Sequence, residues 1–225
     1  MSKKPNQKHD ELENVEHALS ASELFIEKYQ KQILITVGII VLIVLSVLSF
    51  RNFYLQPREI AAENEMYKAQ AFFAADSFKI ALDGKFDQTI GFKEIASEYS
   101  LTSSGKLAAA YAGICYYKLG QYEDAIKFLT QYDGDDNYFK TTVIGLTGDA
   151  YVNLGENNKA LSCFKKAADM KNSVLSPIYI KKAGLVYELL KQPTNAEMEY
   201  QLIKDNYPKS TEATDIDKYL ARVQK

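Results

Sequence analysis

The stretch KLAAAYAGICYYKLGQYEDAIKFLTQY, residues 106–132, decides the fold, because two later stretches repeat its pattern. TTVIGLTGDAYVNLGENNKALSCFKKA begins at Thr141 and PIYIKKAGLVYELLKQPTNAEMEYQLI begins at Pro177, so successive copies start 35 and 36 residues after the one before. A fixed period of this length is typical of a protein built from stacked helical units.

Four columns of similar residues support this alignment: Gly113, Gly148 and Gly184; Tyr116, Tyr151 and Tyr187; Ala125, Ala160 and Ala196; Leu129, Phe164 and Tyr200. A glycine inside a helix costs about 1 kcal/mol relative to alanine, so three in register require a packing reason. We expect the glycines and alanines to let the two helices of each copy approach closely. The aromatic columns are expected to fill the space between copies.

These columns resemble the tetratricopeptide repeat, a helix-turn-helix unit of about 34 residues. Gly120 and Gly155 stand where that family turns between its two helices, and the third copy has Lys191 there. The resemblance implies an all-α solenoid with three repeats over residues 106–210. Residues 51–105 look like a degenerate repeat, with Ala69 and Ala81 at packing positions and a second helix over 88–100. Residues 211–225 place Ala213, Ile216, Leu220 and Val223 on one face, as expected of a capping helix, and no strand is expected.

A second feature is the apolar stretch ILITVGIIVLIVLSVLSF, residues 33–50, which contains no charged side chain. As a helix, it would span roughly 27 Å, close to the thickness of a bilayer's hydrocarbon core. A buried core helix is the alternative, but it would normally show a polar stripe. A cleavable signal peptide is disfavoured because 32 residues precede the stretch and bulky Leu48 and Phe50 end it. We therefore predict a single transmembrane helix that stays attached.

Residues 1–32 form a charged tail before this helix. Residues 1–18 show no periodicity and are expected to be disordered, and the capping-box spacing of Ser20 and Glu23 predicts a short helix from about Ser22. Basic residues near the two ends of the span are equal in number, whereas the five lysines of the tail favour a cytoplasmic N-terminus.

Composition excludes several function classes. The formal net charge of −2 gives no basic surface for nucleic acid, and the histidines, His9 and His17, both lie in the tail. The large domain therefore lacks the commonest general base and metal ligand, and no glycine-rich phosphate loop occurs. We predict no enzyme activity, no cofactor and no small-molecule substrate. Cys115 and Cys163 are expected to be buried free thiols, although an exported domain could pair them.

One acidic stretch, Asp133-Gly134-Asp135-Asp136, resembles part of a calcium loop. Its required glutamate is replaced by Ile144, so a turn between repeats is the preferred interpretation.

In tetratricopeptide domains the first helices line a concave groove that binds a peptide or partner protein. The resemblance implies that the polar groove positions in this sequence are Tyr117, Lys118, Asp149, Asn153, Lys181 and Glu188. The remaining groove positions are apolar or small: Leu107, Ala110, Ile114, Thr142, Gly145, Val152, Ile178, Leu185 and Leu189. Ile114 and Leu185 could equally pack beneath neighbouring repeats. The mixed charges do not resemble a basic clamp for C-terminal carboxylates.

The order of tail, anchor and repeat domain resembles the YfgM-like ancillary subunits of the bacterial SecYEG translocon. That resemblance implies a single-pass inner-membrane protein with a cytoplasmic N-terminus and a periplasmic repeat domain. Its implied role is a non-catalytic adaptor at the translocon exit, working with a membrane-anchored periplasmic peptidyl-prolyl isomerase as chaperone. The alternative is a structural scaffold for another envelope complex, in outer-membrane assembly or cell division, since the C-terminal residues also resemble division-associated repeat proteins.

Overall fold

The computed structural model describes the backbone of residues 7–85 and 89–224, and the side chains of residues 28–85 and 89–224. Two compact units divide the chain, Met1–Tyr54 and Leu55–Lys225. The first contains α1 (Gln7–Ser49), which a π-helical turn (Phe50–Leu55) follows. The helices after it are α2 (Gln56–Ala74), α3 (Phe78–Asp83), α4 (Phe92–Glu98), α5 (Ser103–Lys118), α6 (Tyr122–Leu129), α7 (Asn137–Asn153), α8 (Asn157–Ala168), α9 (Leu175–Leu189), α10 (Pro193–Asn206) and α11 (Ile216–Val223).

Helix α1 is longer than the sequence predicts. It begins at Gln7, so the disorder expected over residues 1–18 and the helix start near Ser22 are wrong for residues 7–21. Starting a helix is the costly step, whereas each added residue gains a hydrogen bond. The tail is continuous with the apolar segment in one helix, and its Glu, Leu and Ala residues are good helix formers. Residues 1–6 lie outside the described part of the chain.

The apolar segment has no protein packed around it in the described structure. Its window has a mean hydropathy of 3.0 and is 0% buried, and it is the one helical stretch among the described residues long and apolar enough to cross a membrane. Two of its hydroxyls are satisfied within the helix, because Thr36 donates to the carbonyl of Gln32 at 2.9 Å and Ser46 to that of Leu42 at 2.8 Å. The helix is therefore compatible with a membrane anchor.

The three predicted repeats are helix pairs, α5 with α6, α7 with α8, and α9 with α10, and the first helices of successive pairs contact one another. As predicted, the glycine column lies where the two helices of each pair approach closely, but the large residues of the fourth column, expected to fill the space between copies, pack against these glycines. A Cβ added to Gly113 would lie 2.6 Å from Cγ of Leu129, and one added to Gly148 would lie 2.6 Å from Cε1 of Phe164. The large residues of the fourth column thus pack directly over the glycines within each pair. This contact explains why all three repeats have both columns.

The turns inside these pairs use left-handed backbone. Gly120 and Gly155 have φ angles of 76° and 73°, which glycine adopts at little steric cost. In the third pair Lys191 takes the same conformation, with φ of 57°. The turn geometry is therefore kept even where its preferred residue is absent.

The unit before the repeats is interrupted. Its second helix is split into α3 and α4 by a short hairpin of β1 (Gly84–Lys85) and β2 (Thr89–Ile90), paired antiparallel. The expectation of no strand is wrong here, whereas the helix expected over 88–100 is present as the shorter α4. Gly84, with φ of 85°, ends α3 and starts the hairpin. Gly91 then caps α4, so that helix begins only at Phe92.

The C-terminal residues close the other end of the repeat unit. A 3₁₀ turn (Glu212–Asp215) leads into α11, whose Ile216 and Leu220 are 2% and 6% exposed. They pack with Tyr200 and Ile203 of α10, while Ala213 and Val223 lie partly buried beside them. The four residues that the sequence places on one face therefore share one apolar cluster.

Candidate protein-binding surface

The candidate surface is formed by the outward side chains of the first helices α5, α7 and α9, and is called the first-helix surface below. Two of its predicted positions are not accessible. Ala110 is fully buried, and the ring of Tyr179 occupies the space beside Gly145 that a side chain would need. These small residues serve the contact between neighbouring repeats. The usable part of the surface is therefore narrower than the sequence predicts.

A row of polar side chains connects the three helices. Asp149 of α7 forms an ion pair with Lys182 of α9, with 2.6 Å between the carboxylate and the ammonium nitrogen. The amide of Asn153 donates to the main-chain carbonyl of Asp149 at 2.9 Å and lies within hydrogen-bonding reach of the Tyr117 hydroxyl on α5. Three of the predicted site residues are thus brought together in this polar row, which also includes Lys182.

Lys182 was not predicted as a site residue, yet it is central to the row. Its ammonium lies 5.6 Å from the ring centre of Tyr179 and 5.7 Å from that of Phe164, so it also makes cation–π contacts. Burial, with the nearby Asp149 carboxylate, raises the pKa of Tyr179 to about 12. The polar row is therefore held in place by its own contacts, and the charges of Asp149 and Lys182 cancel within it.

Lys181 and Glu188 point instead towards the C-terminal segment. Lys181 donates to Asp215 at 2.7 Å, and Glu188 accepts from Arg222 of α11 at 2.6 Å and from the Tyr200 hydroxyl at 2.5 Å. Burial alone would raise the pKa of Glu188, but the hydrogen bonds from Arg222 and Tyr200 lower it below its usual value. These two predicted residues hold the end of the solenoid, and their charged partners, Asp215 and Arg222, are each 34 residues away in the sequence.

Lys118 behaves differently from the other charged positions. Its side chain is exposed at the end of α5, and its ammonium lies 6.0 Å from the ring centre of Phe78. At that distance the cation–π attraction is weak, so the charge is available to a partner.

The exposed apolar part of the surface lies on α9. Leu189 is 62% exposed and Leu185 is 37% exposed, whereas Ile114 at the equivalent position of α5 is half-buried against the core. The two leucines lie one helical turn apart, beside Lys182 of the polar row. The alternative interpretation thus holds for Ile114 but not for Leu185. Together, the row and the leucines form a surface with one polar and one apolar part.

A separate acidic pocket of about 540 Å³ lies between the start of α2, the start of α5 and the loop before α7. Two of its four lining carboxylates have structural partners: Glu59 accepts from the backbone N–H groups of Ser103 and Ser104 at 2.7 and 2.8 Å, and Asp133 pairs with Lys106 at 3.0 Å. No group of three potential metal ligands occurs among the described residues. In the same loop Asp136 caps α7, accepting from the N–H of Phe139 at 2.7 Å. This geometry is that of a turn and a helix cap.

The two cysteines differ in environment. Cys115 is buried, and burial raises the pKa of its thiol to about 12. Cys163 is only half-buried, and burial again raises its pKa. The full burial predicted for both is therefore found only for Cys115. Neither thiol has the lowered pKa that reactive cysteines need.

Comparison with known proteins supports the repeat architecture. Family models described as tetratricopeptide repeat match residues 111–132, 144–173 and 182–210. The fold is similar to that of a kinesin light chain protein with nearly identical TPR-like repeats from Podospora anserina, with a TM-score of 0.54 and 12% identity, over 72% of this chain and 84% of that one. The repeats are thus tetratricopeptide repeats, as the sequence predicts.

A second solved structure is less similar. BtubC (BKLC) from P. vanneervenii matches with a TM-score of 0.39 and 12% identity, over 76% of this chain and 65% of that one. No curated protein matches this sequence.

Proposed function

We propose that the protein is a non-catalytic tetratricopeptide adaptor anchored in the bacterial inner membrane, with its N-terminus in the cytoplasm and its repeat domain in the periplasm. There it serves as an ancillary subunit at the exit of the Sec translocon and works with a membrane-anchored periplasmic peptidyl-prolyl isomerase. The repeats support protein binding, and the exposed apolar helix supports anchoring. The finer assignment rests on the resemblance of the whole arrangement to translocon ancillary subunits.

One observation carries the binding role, namely the exposed leucines on the first-helix surface. Leu185 and Leu189 leave apolar area open to solvent beside the polar row of Tyr117, Asn153, Asp149 and Lys182. An apolar patch next to fixed polar groups suits a partner segment that presents apolar side chains. Lys118 adds an exposed cation at the α5 end of the same surface.

The test is affinity purification of the full-length protein from its native membranes in mild detergent, with partners identified by mass spectrometry. Leu189→Asp is compared with Met198→Asp on α10, because the two side chains are 62% and 60% exposed. Both variants should fold, so a difference between them reports the surface and not stability. Loss of the translocon channel and the isomerase with Leu189→Asp alone is the expected result. Recovery of outer-membrane assembly or division proteins without the channel would instead favour the scaffold.

Orientation needs its own experiment. Cysteines introduced at Asn6 and at Asp135, in a chain whose native cysteines are replaced, are exposed to a membrane-impermeant thiol reagent in intact spheroplasts. Labelling at Asp135 but not at Asn6 is expected if the repeat domain is periplasmic. The opposite pattern would invert the proposed topology.

A further inference from the structure

The outer face of α2 is apolar in part and has no protein packed against it in the described structure. Tyr67 is 78% exposed and Ile60 is 55% exposed. On the opposite face of the same helix, Ala62, Met66 and Ala69 are buried in the core. Two exposed apolar side chains do not by themselves make a binding surface, so the pattern of the residues around them decides what this face can bind.

The exposed residues of this face follow a heptad pattern. Their spacing alternates between three and four along Pro57, Ile60, Asn64, Tyr67, Ala71 and Ala74, all exposed. With Pro57 at position a, Asn64 also falls at a, where a buried asparagine fixes the register and the number of helices in a coiled coil. Tyr67 falls at d. The buried alanines Ala62 and Ala69 fall at f, which a coiled-coil partner would not contact.

The flanking positions carry opposite charges. Glu63 falls at g and Lys68 at the following e position, five residues later. In a parallel pair of helices, g of one chain lies beside the next e of the other, so each Glu63 meets a Lys68. An antiparallel pair would bring g beside g, and the two Glu63 carboxylates would repel. The charge pattern therefore favours a parallel arrangement of two identical helices.

We propose that α2 pairs in parallel with α2 of a second copy of this chain, through a short coiled coil that has Tyr67 and Ile60 in its seam. In the monomer Lys68 pairs with Glu65 in its own helix at 2.7 Å, and its side chain stays 47% exposed, so it can exchange that carboxylate for Glu63 of the second copy.

The apolar segment upstream of α2 strengthens the proposal. A helix of 19 residues offers about 28 Å, or roughly two and a half heptads, which is marginal for a coiled coil in dilute solution. Two copies anchored in one membrane hold their α2 helices at a high effective concentration. This step rests on the membrane anchor of the proposed function, whereas the pairing chemistry of α2 does not.

The first test is disulfide cross-linking of the full-length protein in native membranes, with Cys115→Ala and Cys163→Ser as background. Asn64→Cys should give a homodimer on mild oxidation. Lys79→Cys on α3, whose native side chain is 82% exposed, is the matched control and should remain monomeric. Equal cross-linking at the two sites, or a cross-link from Asn64→Cys only to a different protein, would overturn the proposal.

The second test exchanges charges in the detergent-solubilised full-length protein. Glu63→Lys or Lys68→Glu alone should weaken dimerisation several-fold by light scattering, and the double variant should restore it. Tyr67→Glu should weaken it at least about tenfold, since it places two carboxylates in the seam. Circular dichroism checks that each variant is folded. If the double variant does not restore the dimer, the proposed parallel pairing is wrong, whatever the outcome for translocon binding.

Discussion

The two ends of the repeat unit are built differently. At the C-terminal end, Ile216 and Leu220 of α11 are 2% and 6% exposed and cover the last helix pair. At the N-terminal end, Ile60 and Tyr67 of α2 are 55% and 78% exposed. A solenoid unit buries its apolar face only against a neighbour, so each end must be capped or left for a partner. Helix α11 closes one end, whereas α2 buries Ala62, Met66 and Ala69 against the core at the other end and keeps Ile60 and Tyr67 exposed on its outer face.

The closed end is also held by charge. Lys181 pairs with Asp215, Lys204 with Asp217 and Arg222 with Glu188, at distances of 2.7, 2.7 and 2.6 Å. The Tyr219 ring has the Lys181 ammonium 4.4 Å and the Arg222 guanidinium 4.7 Å from its centre. The C-terminal cap is thus held by polar contacts as well as by burial, whereas the outer face of α2 has an apolar stripe flanked by Glu63 and Lys68.

The strongest contrast should come from placing a carboxylate at each end. Leu220→Asp buries a charge in the cap and should lower the free energy of unfolding by about 3–4 kcal/mol. Tyr67→Asp, at an exposed position, should change it by no more than about 0.5 kcal/mol in the monomer. Thermal unfolding of dilute protein in detergent, followed by aromatic circular dichroism, measures both. Equal losses in the free energy of unfolding would mean that Tyr67 is packed against protein and is not on an exposed face of α2.

Overpacking beneath the cap should have a smaller effect. Gly184→Ala puts a Cβ into the ring of the fully buried Tyr200, which must move and weaken its hydrogen bond to Glu188. Alanine's better helix propensity offsets part of this cost, leaving an expected loss of about 1–2 kcal/mol. The equivalent residue near the N-terminal end, Ala69, is already alanine. If the free energy of unfolding of Gly184→Ala equals that of the parent chain, the Tyr200 ring has room to move.

Acid should loosen the closed end first. The pKa of Glu188 in the folded protein lies below its usual 4.5, so its stabilising effect is fully present above that pH and is lost as the pH falls through the lowered value. Hydrogen exchange of α11 should therefore accelerate as the pH drops below about 4.5, after correction for the intrinsic exchange rate. Glu188→Gln should remove most of this pH dependence. If the cap loosens identically in that variant, Glu188 is not the group responsible.

The smallest expected effect concerns the turn in the last repeat. Lys191 has a left-handed φ of 57°, which costs a non-glycine residue about 1 kcal/mol. Lys191→Gly should recover part of that cost and raise the free energy of unfolding by about 0.5 kcal/mol. Gly155→Lys in the preceding repeat is the matched reverse change and should lower it. Chemical denaturation of the two variants would contradict this account if both moved the midpoint in the same direction.

The sequence predicts the architecture well because its signals are local or periodic. The glycine columns and the 35-residue spacing identify the tetratricopeptide pairs, and an uncharged run of 18 residues identifies the apolar helix. The hairpin of β1 and β2 was missed because each strand has only two residues, too few for any alternation to show. The helical tail from Gln7 was missed because extension of an existing helix depends on its neighbour more than on its own pattern.

The helical period fixes which residues share a helix face, so that grouping can be read from the sequence. What covers each face follows from the packing of the helices in three dimensions. Lys181 and Glu188 share the first helix of the third repeat with exposed Leu185 and Leu189, yet the former two are taken by a capping segment about 34 residues further on. Periodicity contains no information about such distant partners, because they are set by the packing of one helix on another.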